Sequence, residues 1–268
     1  MAVYFDSTAD IIGATSGGAV AGNVESRTIC GLARIETNSS SATQLICGFS
    51  NSQSYFSVRL DWRRSSSDSM YLYCQNGSGG TSPVTFASRP AVGELFFWYV
   101  KCSGTGSNAV EAGWGYLDGS AMVTATNTLV SGSSGSCQLM TVGGELSSYV
   151  RGQIAGVRQW TTALSAAELE NERYQISANR RADLIGEYPF WDVATSLTDF
   201  SGNGATLSNI SGFGGTAPSD TAISFPVRIA GRRAGRAACQ SPVDGVRTAR
   251  GAHLRGEPQP VVVHVGDH

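Results

Sequence analysis

Two carboxylates spaced two residues apart on a β-strand point the same way. That suits the acid and nucleophile of a retaining glycoside hydrolysis, which stand about 5 Å apart. In this 268-residue chain Glu168 and Glu170 have the spacing, but they fall in a segment patterned as a helix. There, residues two apart turn to different faces. Imidazole chemistry is served no better, because His253, His264 and His268 all lie in the C-terminal stretch. Neither a Ser/His/Asp triad nor a phosphate-cradling loop emerges from the pattern, so no catalytic residues are assigned and a non-enzymatic role is expected. The remaining groups suit binding. Tyr71, Tyr73, Phe97 and Tyr99 recur at strand spacing and would make a sugar-stacking face if their sheet faces are open. The alternative is packing beneath a second layer or a neighbouring subunit. Asp192, Asp199 and Asn203 offer oxygens of the kind Ca²⁺ takes, although carboxylates in such loops more often cap them. No metal site is assigned and no cofactor is required. Asp118-Gly119 and Asn203-Gly204 are turn dipeptides first.

The elements that must position these residues are strands. Phe56, Val58, Leu60 and Trp62 alternate with Tyr55, Ser57, Arg59 and Asp61. The same period returns in Met70, Leu72 and Cys74, and again in Phe96, Trp98, Val100 and Cys102. Alternation of this kind predicts strands with one face in a core and the other wetter. Further strand-like runs are 3–5, 28–35, 44–49, 84–87, 110–117, 138–142 and 153–160. Between them stand breakers such as Asn76-Gly77-Ser78-Gly79-Gly80. With 33 glycines and only 15% charged residues, the composition fits many short strands joined by tight turns. The expected fold is all-β, a two-sheet antiparallel sandwich. One helix is predicted over 165–177, because Ser165-Ala166-Ala167-Glu168 forms a capping box. Leu169 and Ile176 would share its buried face. The six cysteines show no CxxC spacing and most lie in strand-like runs, so buried thiols are expected, with a cross-strand disulfide as the alternative.

These segments, taken in order, resemble a family. Gly152-Gln153-Ile154-Ala155-Gly156-Val157-Arg158-Gln159-Trp160, followed by Ala163-Leu164-Ser165-Ala166-Ala167-Glu168-Leu169, looks like the late strand and short helix of laminin-G-like domains. Trp98 and Val100, then Tyr116-Leu117-Asp118-Gly119, are similar to that family's W…V strand and Y-V-D-G hairpin, and Val3-Tyr4-Phe5-Asp6 to its opening strand. The resemblance implies a concanavalin A-like jelly roll over residues 1–222. In that superfamily lectins, adhesion modules, glycosidases and lyases share one scaffold, so the fold alone does not assign a function. Its glycosidases carry E-x-D-x-E strands, a run this chain lacks. One segment is out of place: Tyr188-Pro189-Phe190-Trp191-Asp192 and Asp199-Phe200-Ser201-Gly202-Asn203-Gly204 precede the opening strand in many relatives but follow the helix here. Closure of the same sandwich is expected rather than a second repeat.

Charge divides the chain. After residue 222 there are seven arginines and three carboxylates, against twelve basic and eighteen acidic residues before, so net charge reverses from −6 to +4. Residues 223–268 are therefore expected to be an extended basic arm that docks on protein subunits of a larger assembly through Arg228, Arg232, Arg233 and Arg236. Arginine also suits nucleic-acid phosphate, but the overall charge of −2 argues against a nucleic-acid partner. The first ten residues lack a basic start and an apolar run, and nothing approaches a transmembrane span, so no membrane association is expected. Laminin-G-like sandwiches of this kind occur in bacteriophage structural proteins. The resemblance thus implies a virion-surface role, such as a capsid decoration or tail-associated subunit. The alternative is a lectin-like adhesion module binding surface glycans.

Overall fold

The computed structural model describes residues 3–5, 12–15, 17–36, 43–51, 56–63, 69–75, 81–130, 135–145, 148–190 and 197–209. The arm lies outside the described residues, and with it Arg228, Arg232, Arg233 and Arg236.

The alternating segments build two seven-stranded sheets in which every pairing is antiparallel. The first runs in the order β1 (Val3–Phe5), β14 (Gly152–Trp160), β3 (Ser26–Ile35), β8 (Leu95–Ser103), β9 (Gly106–Tyr116) and β10 (Val123–Leu129). Strand β15 (Leu184–Tyr188) shares the β14 edge with β1, since β1 pairs with residues 152–154 and β15 with residues 157–160. The second sheet runs β16 (Ser208–Asn209), β2 (Ile12–Ala14), β11 (Leu139–Val142), β4 (Gln44–Ser50), β5 (Val58–Arg63), β6 (Tyr71–Gln75) and β7 (Thr81–Thr85). A short hairpin, β12 (Gly144–Glu145) with β13 (Ser148–Tyr149), follows β11. The out-of-place segment thus closes the same sandwich, adding β15 to one sheet and β16 to the other.

Between the sheets lies one apolar core. Phe96, Trp98, Val100 and Cys102 enter it from β8, Val58, Leu60 and Trp62 from β5, and Met70, Leu72 and Cys74 from the β6 region. The Trp62 ring stacks on Phe96 with centroids 5.4 Å apart, joining the two sheets. Phe56 departs from the expected row: it precedes β5, and its ring lies against Gly48, where a Cβ would stand 2.6 Å from a ring carbon. Cys30, Cys47, Cys74, Cys102 and Cys137 are free and buried. Burial pushes the Cys30 and Cys74 thiols up to about 12, so neither is a thiolate at neutral pH. Cys239 lies outside the described residues.

The outer face of the first sheet is not wet. Cys30, Leu32, Phe97, Tyr99 and Trp160 form a second apolar cluster with Leu164, Leu169 and Ala178, beneath helix α1 (Ala166–Glu172) and the turn after it. Tyr99 fits there only because Gly113 faces it, since a Cβ at that position would come within 2.4 Å of the ring. The helix starts as expected: the Ser165 hydroxyl accepts the Glu168 amide, and the Glu168 carboxylate accepts the Ser165 amide at 2.8 Å. It ends earlier than 177. The buried Glu172 carboxylate accepts the amides of Asn179 at 3.0 Å and Arg180 at 2.8 Å, which pulls the chain back across the sheet. Ile176 still packs on the cluster with Leu169, but from that turn. No helix among the described residues is long and apolar enough to cross a membrane.

The capping box makes a measurable contribution. The Ser165 amide and hydroxyl, and then Arg180, hold the Glu168 carboxyl down to about 2 from an ordinary 4.5. A depressed carboxyl contributes stability above its unfolded pKa, and that contribution disappears as pH falls from 4.5 towards 2. Ser165→Ala is expected to cost about 1 kcal/mol near neutral pH. Urea unfolding should show a smaller loss once Glu168 is protonated. An equal loss across that window would show that the cap acts without the Glu168 charge.

Candidate functional site

The outer face of the second sheet carries the polar groups. Cross-strand register aligns Tyr73 on β6, Arg59 on β5, Gly48 on β4, Thr141 on β11 and Gly13 on β2 in one row. The neighbouring rows, Leu72–Leu60–Cys47–Val142 and Cys74–Val58–Phe49–Met140, point into the core, so this row must point away from it. The Arg59 guanidinium stands 4.5 Å from the Tyr73 ring centroid, a cation–π contact. It is also paired with the Asp61 carboxylate at 3.1 Å. Asp61 is directly opposite Tyr71, whose ring centroid is 5.9 Å from that of Tyr73.

Burial separates two roles within this cluster. Tyr73 and Asp61 are buried, whereas the Arg59 side chain is 21% exposed and Tyr71 is half-buried. Arg59 and Tyr71 therefore reach outward, held from beneath by the other two. A buried carboxylate is costly unless paired, and the Asp61 pairing holds the Arg59 guanidinium beside it. Beyond Arg59 the row continues through Gly48 and Thr141, both buried, with the Phe56 ring against Gly48.

The structure does not bring the four expected aromatics together. Tyr71 and Tyr73 belong to this face, whereas Phe97 and Tyr99 lie on the other sheet, buried beneath α1. For that pair the sugar-stacking expectation is corrected: the sequence period set their side of the strand, but the helix layer covers it. The Tyr99 hydroxyl donates to Glu111 at 2.5 Å, and Glu111 also pairs with Lys101 at 3.2 Å. Burial, and then the Glu111 hydrogen bond, push the Tyr99 hydroxyl well above its ordinary value.

The carboxylates weighed for calcium have other work. Asp199 accepts the amides of Glu187 at 3.0 Å, Ser201 at 2.8 Å and Ala205 at 2.9 Å, and the Ser201 hydroxyl at 2.7 Å. Burial pushes its pKa up, but these hydrogen bonds outweigh burial and leave it lowered. Asn203 donates to the Leu184 carbonyl at 2.7 Å. Both residues tie the closing loop to β15. Asp192 lies outside the described residues, and no group of three or more His, Cys, Asp or Glu side chains placed to hold a metal occurs among the described ones.

Arg59 and Asp61 were within reach of sequence reasoning, because alternation with Val58, Leu60 and Trp62 sends them to the outer face. Their pairing required cross-strand register. The buried ionic groups gave no such signal. Arg27 donates to Gln159 at 2.9 Å and to the Ala19 carbonyl at 3.3 Å, and Arg158 pairs with Glu172 at 2.9 Å.

No protein-family model and no curated protein matches this chain. Solved structures do. Full-length tailspike protein 2 from Escherichia coli O157:H7 bacteriophage CAB120 is similar over 71% of this chain, with a TM-score of 0.50 and 13% identity, and the chain spans 28% of its length. A native heptameric SAP-like pentraxin from Limulus polyphemus is similar over 64% of this chain and 80% of its own, with a TM-score of 0.47 and 14% identity. The LG1-3 region of the laminin alpha2 chain is similar over 62% of this chain and 32% of its own, with a TM-score of 0.43 and 9% identity. The two antiparallel sheets make the jelly-roll sandwich that the sequence implied, and at these identities the likeness concerns fold alone.

Proposed function

We propose that this chain is a non-catalytic binding subunit of a bacteriophage particle. In this reading the sandwich presents the Arg59–Tyr71 face to a surface glycan, and the basic arm docks on neighbouring protein subunits. The observation that carries it is the preorganised pair: Arg59 is fixed by Asp61 and the Tyr73 ring, beside an outward Tyr71. A sugar has apolar C–H faces and a rim of hydroxyls. An aromatic ring takes the first and a guanidinium the second, and little side-chain freedom remains to be lost on binding. Among the described residues the cluster brings one carboxylate, Asp61, paired with Arg59, whereas glycoside hydrolysis uses two. The jelly roll shared with a phage tailspike supports a particle setting, and so does the charge reversal after residue 222.

Titration of the full chain with a panel of bacterial surface polysaccharides tests the binding face. Tyr71→Ala, and the charge-neutral double variant Arg59→Gln with Asp61→Asn, should each weaken the tightest interaction by about tenfold or more, about 1.4 kcal/mol. The double variant removes both charges of the Arg59–Asp61 pair together, and circular dichroism checks that its fold survives. Unchanged affinity in both would place binding elsewhere. A chain lacking residues 223–268 should retain the glycan affinity and fail to incorporate into particles. Normal incorporation would remove the arm from the account.

A further inference from the structure

The first sheet carries a polar row of its own. Register aligns Tyr4 on β1, Gln153 on β14, Arg34 on β3 and Leu95 on β8. Arg34 and Leu95 stand two residues along their strands from Leu32 and Phe97, so the row shares the outer face with that pair. Just past the end of β3, the Glu36 carboxylate accepts the Tyr4 hydroxyl at 2.8 Å and the Gln153 side-chain amide at 3.1 Å. The Arg34 Nε donates to the Gly93 carbonyl at 2.8 Å, and among the described residues its two terminal nitrogens meet no acceptor. Exposed Arg151, whose carbonyl accepts the Glu36 amide at 2.9 Å, likewise has no carboxylate partner among them. Gln153 is the informative residue. It is 2% exposed, and its Oε1 is buried without a hydrogen-bond donor. A buried acceptor left unmet is costly, and this one belongs to the residue directly across from Arg34.

We propose that this corner of the first sheet is a second binding site, and that it takes a sugar acid, a ligand with a carboxylate beside a hydroxyl. The terminal nitrogens of Arg34 receive the carboxylate as a planar two-pronged donor. The Gly93 carbonyl holds that guanidinium in place. Gln153 Oε1 accepts the neighbouring hydroxyl, and the hydrogen bond from its Nε2 to Glu36 fixes which end of the amide is the acceptor. A plain anion satisfies Arg34 and leaves the Gln153 acceptor unmet, whereas a neutral sugar does the reverse. Only a ligand carrying both groups answers both residues. Arg59, Asp61, Tyr71 and Tyr73 take no part, since they belong to the other sheet.

Ligand-observed NMR titration of the full chain with glucuronate tests it, with glucose and acetate as the two halves of that ligand. Glucuronate should bind about tenfold more tightly than either. Arg34→Lys keeps the charge and loses the fork, so it should weaken glucuronate and acetate alike, by about tenfold. Gln153→Met removes the acceptor in a side chain of similar length and should weaken glucuronate alone. The Arg59→Gln, Asp61→Asn double variant should bind glucuronate as the wild type does, which separates this site from the glycan face of the other sheet. Circular dichroism checks each fold, and if Gln153→Met does not fold, the Arg34→Lys variant and the acetate comparison still decide. Acetate bound as tightly as glucuronate would mean an adventitious anion only and overturns the proposal. So does glucuronate binding that is absent from the wild type or indifferent to Arg34→Lys.

Discussion

Glu172→Ala should destabilise the sandwich by about 3–5 kcal/mol, a large part of the whole stability of a domain. Glu172 ends α1 fully buried, and its carboxylate pairs with the equally buried Arg158 of β14 at 2.9 Å. It also accepts two amides of the returning chain. Truncation leaves a guanidinium in the apolar layer with its counter-charge gone, and that loss exceeds the worth of the ion pair itself. The double variant Arg158→Met with Glu172→Leu removes both charges and should recover much of the loss, although the amides of Asn179 and Arg180 still lose their acceptor. Urea unfolding reads both results. A loss below about 1 kcal/mol for Glu172→Ala would mean that water reaches Arg158.

Trp62→Ala should cost a similar amount, about 3–5 kcal/mol, by a different route. The indole fills the space between the sheets, stacked on Phe96, with the Arg89 guanidinium 4.8 Å from its centroid. Truncation forfeits the buried area and leaves a cavity that strands fixed on both sides cannot close. Trp62→Phe keeps a ring against Phe96 and should lose clearly less. Thermal or urea unfolding of the two variants separates cavity formation from a general intolerance of change at this position, which would make their losses equal.

Strands β5, β6 and β8 were legible in the sequence because each sets large apolar residues against a mixed face. Val123–Leu129 has the same period, but its inward residues are Ala125, Asn127 and Leu129, too small or too polar to register as a core stripe. The capping box is local, so the start of the helix was readable from four residues. Its end was not, because a buried carboxylate meeting amides seven and eight residues later is a tertiary event. The same division applies to the candidate site. Alternation alone put Arg59, Asp61, Tyr71 and Tyr73 on outer faces. Whether such a face stays open depends on what packs over it, and this separates Tyr71 from Phe97.

Product release is the most direct measure of the central claim that this sandwich binds without catalysis. The full chain should be incubated with the polysaccharide it holds most tightly, while bound complex and newly formed reducing or unsaturated ends are followed together. Stable binding with no new ends is the expected result, and it should persist in the Asp61→Asn, Arg59→Gln double variant apart from weaker binding. Steady formation of new ends that stops when a single Asp or Glu is replaced would contradict the account and make the protein an enzyme.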